Sequence, residues 1–176
     1  MRAIVLMGFM GTGKSEVGRR LAQRLGRAFV DTDSLIVERA GKSVPAIFAE
    51  DGEMRFRTLE AEAVAEATRR RGAVIAVGGG AVVDPANAGR LRAAGVMVHL
   101  TADPDTILAR VGDAPDRPLL AGGDPREAVT RLLAEREAAY TAAADVTVDT
   151  SARTVDEVVD EIRRTVAGQG PGNRWK

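Results

Sequence analysis

Apolar residues fall into short unbroken runs, separated by longer stretches in which they recur every three or four positions. The runs at 3–7, 28–31, 73–77, 96–100 and 145–148 are short enough for strands buried on both faces. Between them, residues 14–25 place Val17, Leu21 and Leu25 on one helical face, and residues 53–70 do the same with Phe56, Leu59, Ala63 and Ala67. Asp84-Pro85, Asp103-Pro104 and Asp124-Pro125 each read as an N-cap followed by proline at the first helical position, so three further helices are expected, with a last one over 154–166. This alternation predicts an α/β domain with five parallel strands covered by helices. Two segments fit no such repeat: 33–52, with short helices around Pro45, and 112–123, rich in Gly, Pro, Asp and Arg. The glycine-containing tail 167–176, which holds the single Trp, is expected to be mobile.

A chain of 176 residues that is 45% hydrophobic and 28% charged suits one domain, here 1–166. No apolar run approaches the roughly 20 residues of a membrane helix, and the first run is too short for a signal-peptide core, so a cytoplasmic protein without a membrane partner is expected. The absence of cysteine excludes disulfides, thiolate metal sites and thiol nucleophiles. Zero net charge and 3% aromatic residues supply neither a basic field nor stacking platforms, so nucleic acid is not an expected partner. Only Lys14, Lys42 and Lys176 are lysine among 25 basic residues, which draws attention to Lys14.

That lysine stands in Gly8-Phe9-Met10-Gly11-Thr12-Gly13-Lys14-Ser15, a match to GxxxxGK[ST] lying after an apolar strand and before an amphipathic helix. Glycines in such a loop let backbone N–H groups turn inward around phosphate oxygens, and a helix start adds its positive dipole end. Gly11, Thr12, Gly13, Lys14 and Ser15 are therefore candidate nucleotide ligands, with Lys14 on the outer phosphates and the Ser15 hydroxyl on Mg²⁺. Gly41-Lys42-Ser43 repeats the last letters without the upstream glycine or strand and reads as a helix end followed by an N-cap. Phosphate loops serve switches as well as kinases. No lysine here sits in the NKxD setting that reads guanine, which disfavours a guanine-nucleotide switch.

Asp31-Thr32-Asp33 closes the second strand, where a period of two points both carboxylates toward the phosphate loop; helix capping is the alternative reading. Gly78-Gly79-Gly80 closes the third strand on the same rim, as a second phosphate loop, a hinge or a floor for another ligand. By residue type alone, Arg57 and Arg136 are helix-surface arginines and His99 is a strand histidine without a role.

Taken together, GFMGTGKS, the DTD at 31–33, Phe56-Arg57, GGGAV from Gly78, RPLL at 117–120 and Arg136 within LAEREAAY resemble the shikimate kinase family, over the chain to about residue 166. The resemblance implies a three-layer α/β/α fold of the phosphate-loop kinase type, like nucleoside monophosphate kinases, with a substrate-binding insertion at about 33–61 and a lid at about 112–125. It implies transfer of the γ-phosphoryl group from ATP, with Mg²⁺, to the 3-hydroxyl of shikimate, by a monomer. Asp33 would orient or deprotonate the attacking hydroxyl, and Asp31 would hold Mg²⁺ through water. Arg57 and Arg136 would grip the carboxylate of shikimate, while Gly78, Gly79 and Gly80 would form a side-chain-free wall against its ring. Arg117, on the lid, would bring positive charge to the phosphoryl group; Arg110 and Arg153 would flank adenine. Glu16 departs from the small or hydroxyl residue common after the loop serine, and an ionised glutamate cannot donate to the α-phosphate. A kinase of another polyol acid, such as gluconate, and a nucleotide-dependent binding module are the competing readings.

Overall fold

The computed structural model describes residues 1–111 and 124–168. β1 (Ala3–Met7) is buried at every position, as an apolar run must be when helices cover both faces of a sheet. It pairs in parallel with β3 (Val74–Ala76) on one side and β4 (Gly95–Thr101) on the other. β2 (Phe29–Asp31) and β5 (Val146–Asp149) form the edges, also parallel, giving the order β2-β3-β1-β4-β5.

Strand alternation separates two cores. Ala3, Val5 and Met7 pack with Val64 and Ala67 of α4 (Gly52–Arg69), Leu91 of α5 (Pro85–Ala94), Ile107 of α6 (Pro104–Val111), and Val129 and Tyr140 of α7 (Pro125–Ala143). Ile4 and Leu6 face the other layer, where Val17 and Leu21 of α1 (Lys14–Leu25) meet Val158, Val159 and Ile162 of α8 (Val155–Gly168). The result is the expected three-layer α/β/α sandwich.

The segment expected to fit no repeat is mostly helical. α2 (Thr32–Ala40) and α3 (Val44–Glu50) occupy most of 33–52 and bury Ile36 and Ile47 with Phe56, Leu59 and Ala63 of α4, in a third cluster apart from the sheet. The consecutive Leu35-Ile36-Val37 hides the helical period of α2 in the sequence. Its start is set by Asp31, whose side chain accepts from the Asp33 N–H, and α3 starts at Ser43, which accepts from the Ala46 N–H. The three Asp-Pro starts behave as read: Asp84 accepts from Ala86 and Asn87, Asp124 from Arg126, and Asp103 from Thr106. Thr106, through its N–H first and its hydroxyl second, holds the Asp103 carboxyl down at about 2. At the other end, α8 runs to Gly168, two residues into the expected tail.

All strand carboxyl ends share one rim. β1 and β4 are neighbours whose onward connections leave toward opposite sides of the sheet, the crevice where open α/β sheets collect ligands. The close pairing of these two strands depends on Gly95. Its φ of −160° and ψ of −166° are ordinary extended values, but a Cβ there would stand 2.2 Å from the Ala3 carbonyl oxygen. Gly95→Ala is expected to lower stability by about 1–3 kcal/mol. The measurement is urea unfolding, with a lower midpoint at an unchanged slope; an unchanged midpoint would contradict the close approach.

Candidate active site

The turn after β1 wraps around the Phe9 carbonyl oxygen, which accepts from Lys14 Nζ at 2.9 Å and from the Thr12 hydroxyl at 2.8 Å. Gly8, Gly11 and Gly13 take φ of 143°, 77° and 89°, values that side chains resist, and Gly13 is the left-handed N-cap from which α1 departs. Space is equally short at Gly8, whose Cβ would stand 2.2 Å from the Leu100 carbonyl oxygen at the end of β4. The loop is thus a fixed backbone cradle at a helix start, suited to phosphate oxygens.

Ser15, in the first turn of α1, donates to Asp31 Oδ2 at 2.5 Å, while Asp31 Oδ1 accepts from the Asp33 N–H at 3.0 Å. The shared direction of Asp31 and Asp33 comes from this cap rather than from strand alternation, because the chain turns helical at Thr32. Both carboxylates line a cavity of about 270 Å³ with Lys14, Ser15 and Glu16. The Ser15 and Asp31 oxygens form a hard donor pair beside the phosphate cradle, the setting Mg²⁺ takes when phosphate and water complete its shell.

The three glycines solve a space problem, since none has positive φ. A Cβ on Gly78 would lie 2.9 Å from Asp33 Oδ1 and 3.0 Å from Glu60 Oε1; on Gly79, 3.1 Å from Arg136 Nη1; on Gly80, 2.7 Å from Arg57 Nη1. Each glycine therefore faces one of the predicted acceptor residues. Arg57, Glu60, Arg136 and Gly80 line a cavity of about 540 Å³. Arg136 is 7% exposed and lies over the Phe9 ring, 5.6 Å from its centroid, which joins this cavity to the phosphate loop.

Glu60 was not among the predicted residues. It is 2% exposed, its Oε2 accepts from Arg57 Nη1 at 2.9 Å, and its Oε1 has no hydrogen-bond partner among the described residues. Burial raises its carboxyl above the ordinary range and nearby Asp33 adds to this, against the opposing pull of Arg57 and Arg136. Arg57 itself is pushed up by Glu60 and Glu53, which together outweigh its desolvation. The signal was legible: Phe56, Leu59, Ala63 and Ala67 set a buried stripe, and Glu60 falls on it as a charge in an apolar face.

A third cavity, of about 490 Å³, is lined by Gly11, Thr12, Gly13, Glu16, Arg110, Arg153 and Val155. Arg110 donates to the Gly11 carbonyl oxygen and to both oxygens of Thr150, and so stands at the loop. Arg153 also lines the cavity, yet its guanidinium is turned along α8, paired with Glu161 at 2.5 Å. Glu16 is exposed and borders two of the cavities. His99 is buried with its ring 4.8 Å from that of Tyr140; burial lowers its pKa, keeping it neutral near pH 7. Arg117 and the expected lid lie outside the described residues, apart from Asp124 and Pro125. Among the described residues no helix is long and apolar enough to cross a membrane.

Comparison with known proteins points one way. The family model described as shikimate kinase matches residues 10–167. The shikimate kinase of Geobacter sulfurreducens is 51% identical over 92% of this chain and 88% of its own length. That of Pelotomaculum thermopropionicum is 49% identical over 92% of this chain and 94% of its own. Among solved structures, shikimate kinase from Acinetobacter baumannii in complex with shikimate superposes with a TM-score of 0.94 at 34% identity, covering 97% of this chain and 96% of that one. Shikimate kinase from Aquifex aeolicus gives 0.84 at 33% identity, over 97% and 99% of the two chains.

The electrostatics of Glu60 make a pH-dependent expectation. A carboxyl whose folded pKa is raised stabilises the fold below its unfolded value of about 4.3 and loses that contribution as pH climbs through the folded value. Glu60→Gln removes the titration, so the melting temperature of wild type minus that of the variant should fall between pH 4 and pH 7. A difference that stays flat or rises would mean that burial does not dominate at Glu60.

Proposed function

This chain belongs to the shikimate kinase family, and from that premise we propose how its residues move the γ-phosphoryl group of ATP to the 3-hydroxyl of shikimate, giving shikimate 3-phosphate and ADP. The reaction is a step of chorismate and aromatic amino acid biosynthesis. The observation that carries the residue assignment is the convergence of Asp33, Arg57 and Arg136 on Gly78-Gly79-Gly80, next to the phosphate loop.

The cradle of Gly11, Thr12 and Gly13 holds the nucleotide phosphates, and Lys14 exchanges the Phe9 carbonyl for a phosphate oxygen. Mg²⁺ fits beside Ser15 and Asp31, whose oxygens suit a hard cation, and when bound it neutralises charge on the phosphates. Arg57 and Arg136 clamp the acceptor carboxylate, for which planar forked donors are matched. Glu60 keeps Arg57 aimed at the cavity. Asp33, beside Gly78, accepts a hydrogen bond from the 3-hydroxyl, aligns its lone pair with the γ-phosphorus and takes its proton as the new O–P bond forms and the bond from the γ-phosphorus to the departing ADP breaks; phosphoryl transfer asks for positioning and charge neutralisation above all. Arg117 supplies further positive charge to the phosphoryl group, and Arg110 with Arg153 flanks the base. The scheme calls for no residue from a second copy of the chain, so a monomer suffices for it.

The decisive assay couples ADP release to shikimate, with gluconate in parallel; no turnover above the ATPase background would overturn the reading. Arg136→Ala is expected to raise the shikimate KM about ten- to hundredfold, the worth of a charge-assisted hydrogen bond, with kcat little changed. Asp33→Asn should lower kcat by about 10²–10⁴-fold with a small effect on KM. Equal effects on both parameters in both variants would contradict the division of roles. Gly79→Val should weaken shikimate binding before ATP binding, as read by separate titrations, because its side chain enters the space of Arg136. A first loss of ATP binding would show that the wall belongs to the nucleotide.

A further inference from the structure

Tyr140 is the only tyrosine of the chain and the mechanism above gives it no part. Its side chain is 1% exposed, and its hydroxyl donates to the Gly79 carbonyl oxygen at 2.5 Å. It lies one helical turn after Arg136 on α7, so the same helix face touches Gly79 twice: Arg136 from the α-carbon side, Tyr140 at the carbonyl.

Gly79 occupies a sensitive place. The Ala81 N–H donates to the Gly78 carbonyl oxygen at 3.0 Å, closing a β-turn whose central peptide joins Gly79 to Gly80. Gly80 has φ −98° and ψ −7°, the values of a type I turn at its third residue. A type II turn differs by a rotation of that central peptide through roughly 180° and needs glycine at the third residue, which this turn has. The wall is glycine for reasons of space, and the same glycines leave both orientations sterically open.

The orientations are chemically opposite. In a planar trans peptide the C=O and the following N–H point in opposite directions. With the Gly79 carbonyl held at Tyr140, the Gly80 N–H points away from Tyr140, and Gly80 itself lines the cavity with Arg57, Glu60 and Arg136. Among the described residues no protein acceptor takes that N–H. The rotated turn would put a carbonyl oxygen where an anion is to bind.

Resting on the reading of this cavity as the acceptor carboxylate site, we propose that Tyr140 is a positioning residue: its hydroxyl locks the Gly79-Gly80 peptide with the Gly80 N–H presented to the anion beside Arg57 and Arg136. His99, its ring tilted against the phenol, and Arg136, one turn away, keep the ring in place.

Tyr140→Phe retains the ring and removes the lock. If the competent orientation falls to about a fifth of the population, the shikimate KM rises about fivefold while the ATP KM stays within about twofold. The loss should depend on the anion, so the preference in kcat/KM for shikimate over its methyl ester should shrink by a similar factor. A merely structural role would weaken both acceptors alike; that outcome, or an unchanged shikimate KM, overturns the proposal. Arg136→Ala separates the two readings: if it raises the shikimate KM and Tyr140→Phe does not, only the lock is lost, whereas no effect of Arg136→Ala removes the carboxylate site itself. Because the chain has a single tyrosine, biosynthetic replacement by 3-fluorotyrosine labels this position alone and keeps the hydroxyl. Its ¹⁹F resonance should move with shikimate saturation and not with ADP alone; a resonance indifferent to shikimate overturns the proposal even if the phenylalanine variant fails to fold.

Discussion

Charged side chains from three helices converge on a piece of backbone that has no side chains of its own. Asp33 from α2, Glu60 and Arg57 from α4 and Arg136 from α7 reach the strand end at Gly78-Gly79-Gly80, and a methyl group at any of the three would stand within 3.1 Å of one of them. The sheet brings this strand end to the same rim as the phosphate loop, and the loop's own Phe9 lies beneath the Arg136 guanidinium. Acceptor and phosphate donor are therefore aligned by contacts that run through one strand end and one aromatic ring. Remove the vacancy at the glycines and the helices must withdraw, taking the charges with them.

The cluster is balanced in charge, with two carboxylates against two guanidiniums, and that balance makes its burial tolerable. Unpaired charges in such a place are costly, and removing one partner of a buried pair leaves the other stranded. Glu60 shows how near the limit the arrangement lies: even with Arg57 at 2.9 Å, burial wins and its carboxyl is pushed up. An arriving carboxylate adds a third negative charge to two positive ones. Lys14 and the positive end of α1, close by across Phe9, help to hold that excess.

How much of this was legible in the sequence varied with the physical rule involved. β1 and α1 were readable to the residue, because an unbroken apolar run, positive-φ glycines and an amphipathic face agree with one another. α2 shows no helical period because its apolar residues are consecutive, so only its ends were readable, as the alternative capping role of the aspartates and the helix end at Gly41; the common direction of Asp31 and Asp33 was expected for a strand-based reason when capping produces it. The wall at Gly78-Gly79-Gly80 could not be explained by backbone conformation, since its φ values are ordinary; only the approach of distant helices makes glycine necessary. Arg57 and Arg136 carry no local mark that separates them from the other arginines, and the family resemblance had to single them out. Glu60 did carry one, a charge on a buried stripe. Tyr140 carried none, because a hydrogen bond spanning 61 positions leaves no trace in local pattern.

The apolar cluster of Ile36, Ile47, Phe56, Leu59 and Ala63 stands apart from the two that sandwich the sheet. It holds α2 and α3 against the part of α4 that carries Arg57 and Glu60, so this part of the acceptor side has a foundation of its own, while Arg136 and the glycine wall share that of the sheet. Heritable change can act on the two separately. Residues that shape the bound alcohol can be exchanged over generations without spending the folding energy of the sheet, and one phosphoryl-transfer scaffold can come to serve many small alcohols by rewriting an insertion with a core of its own.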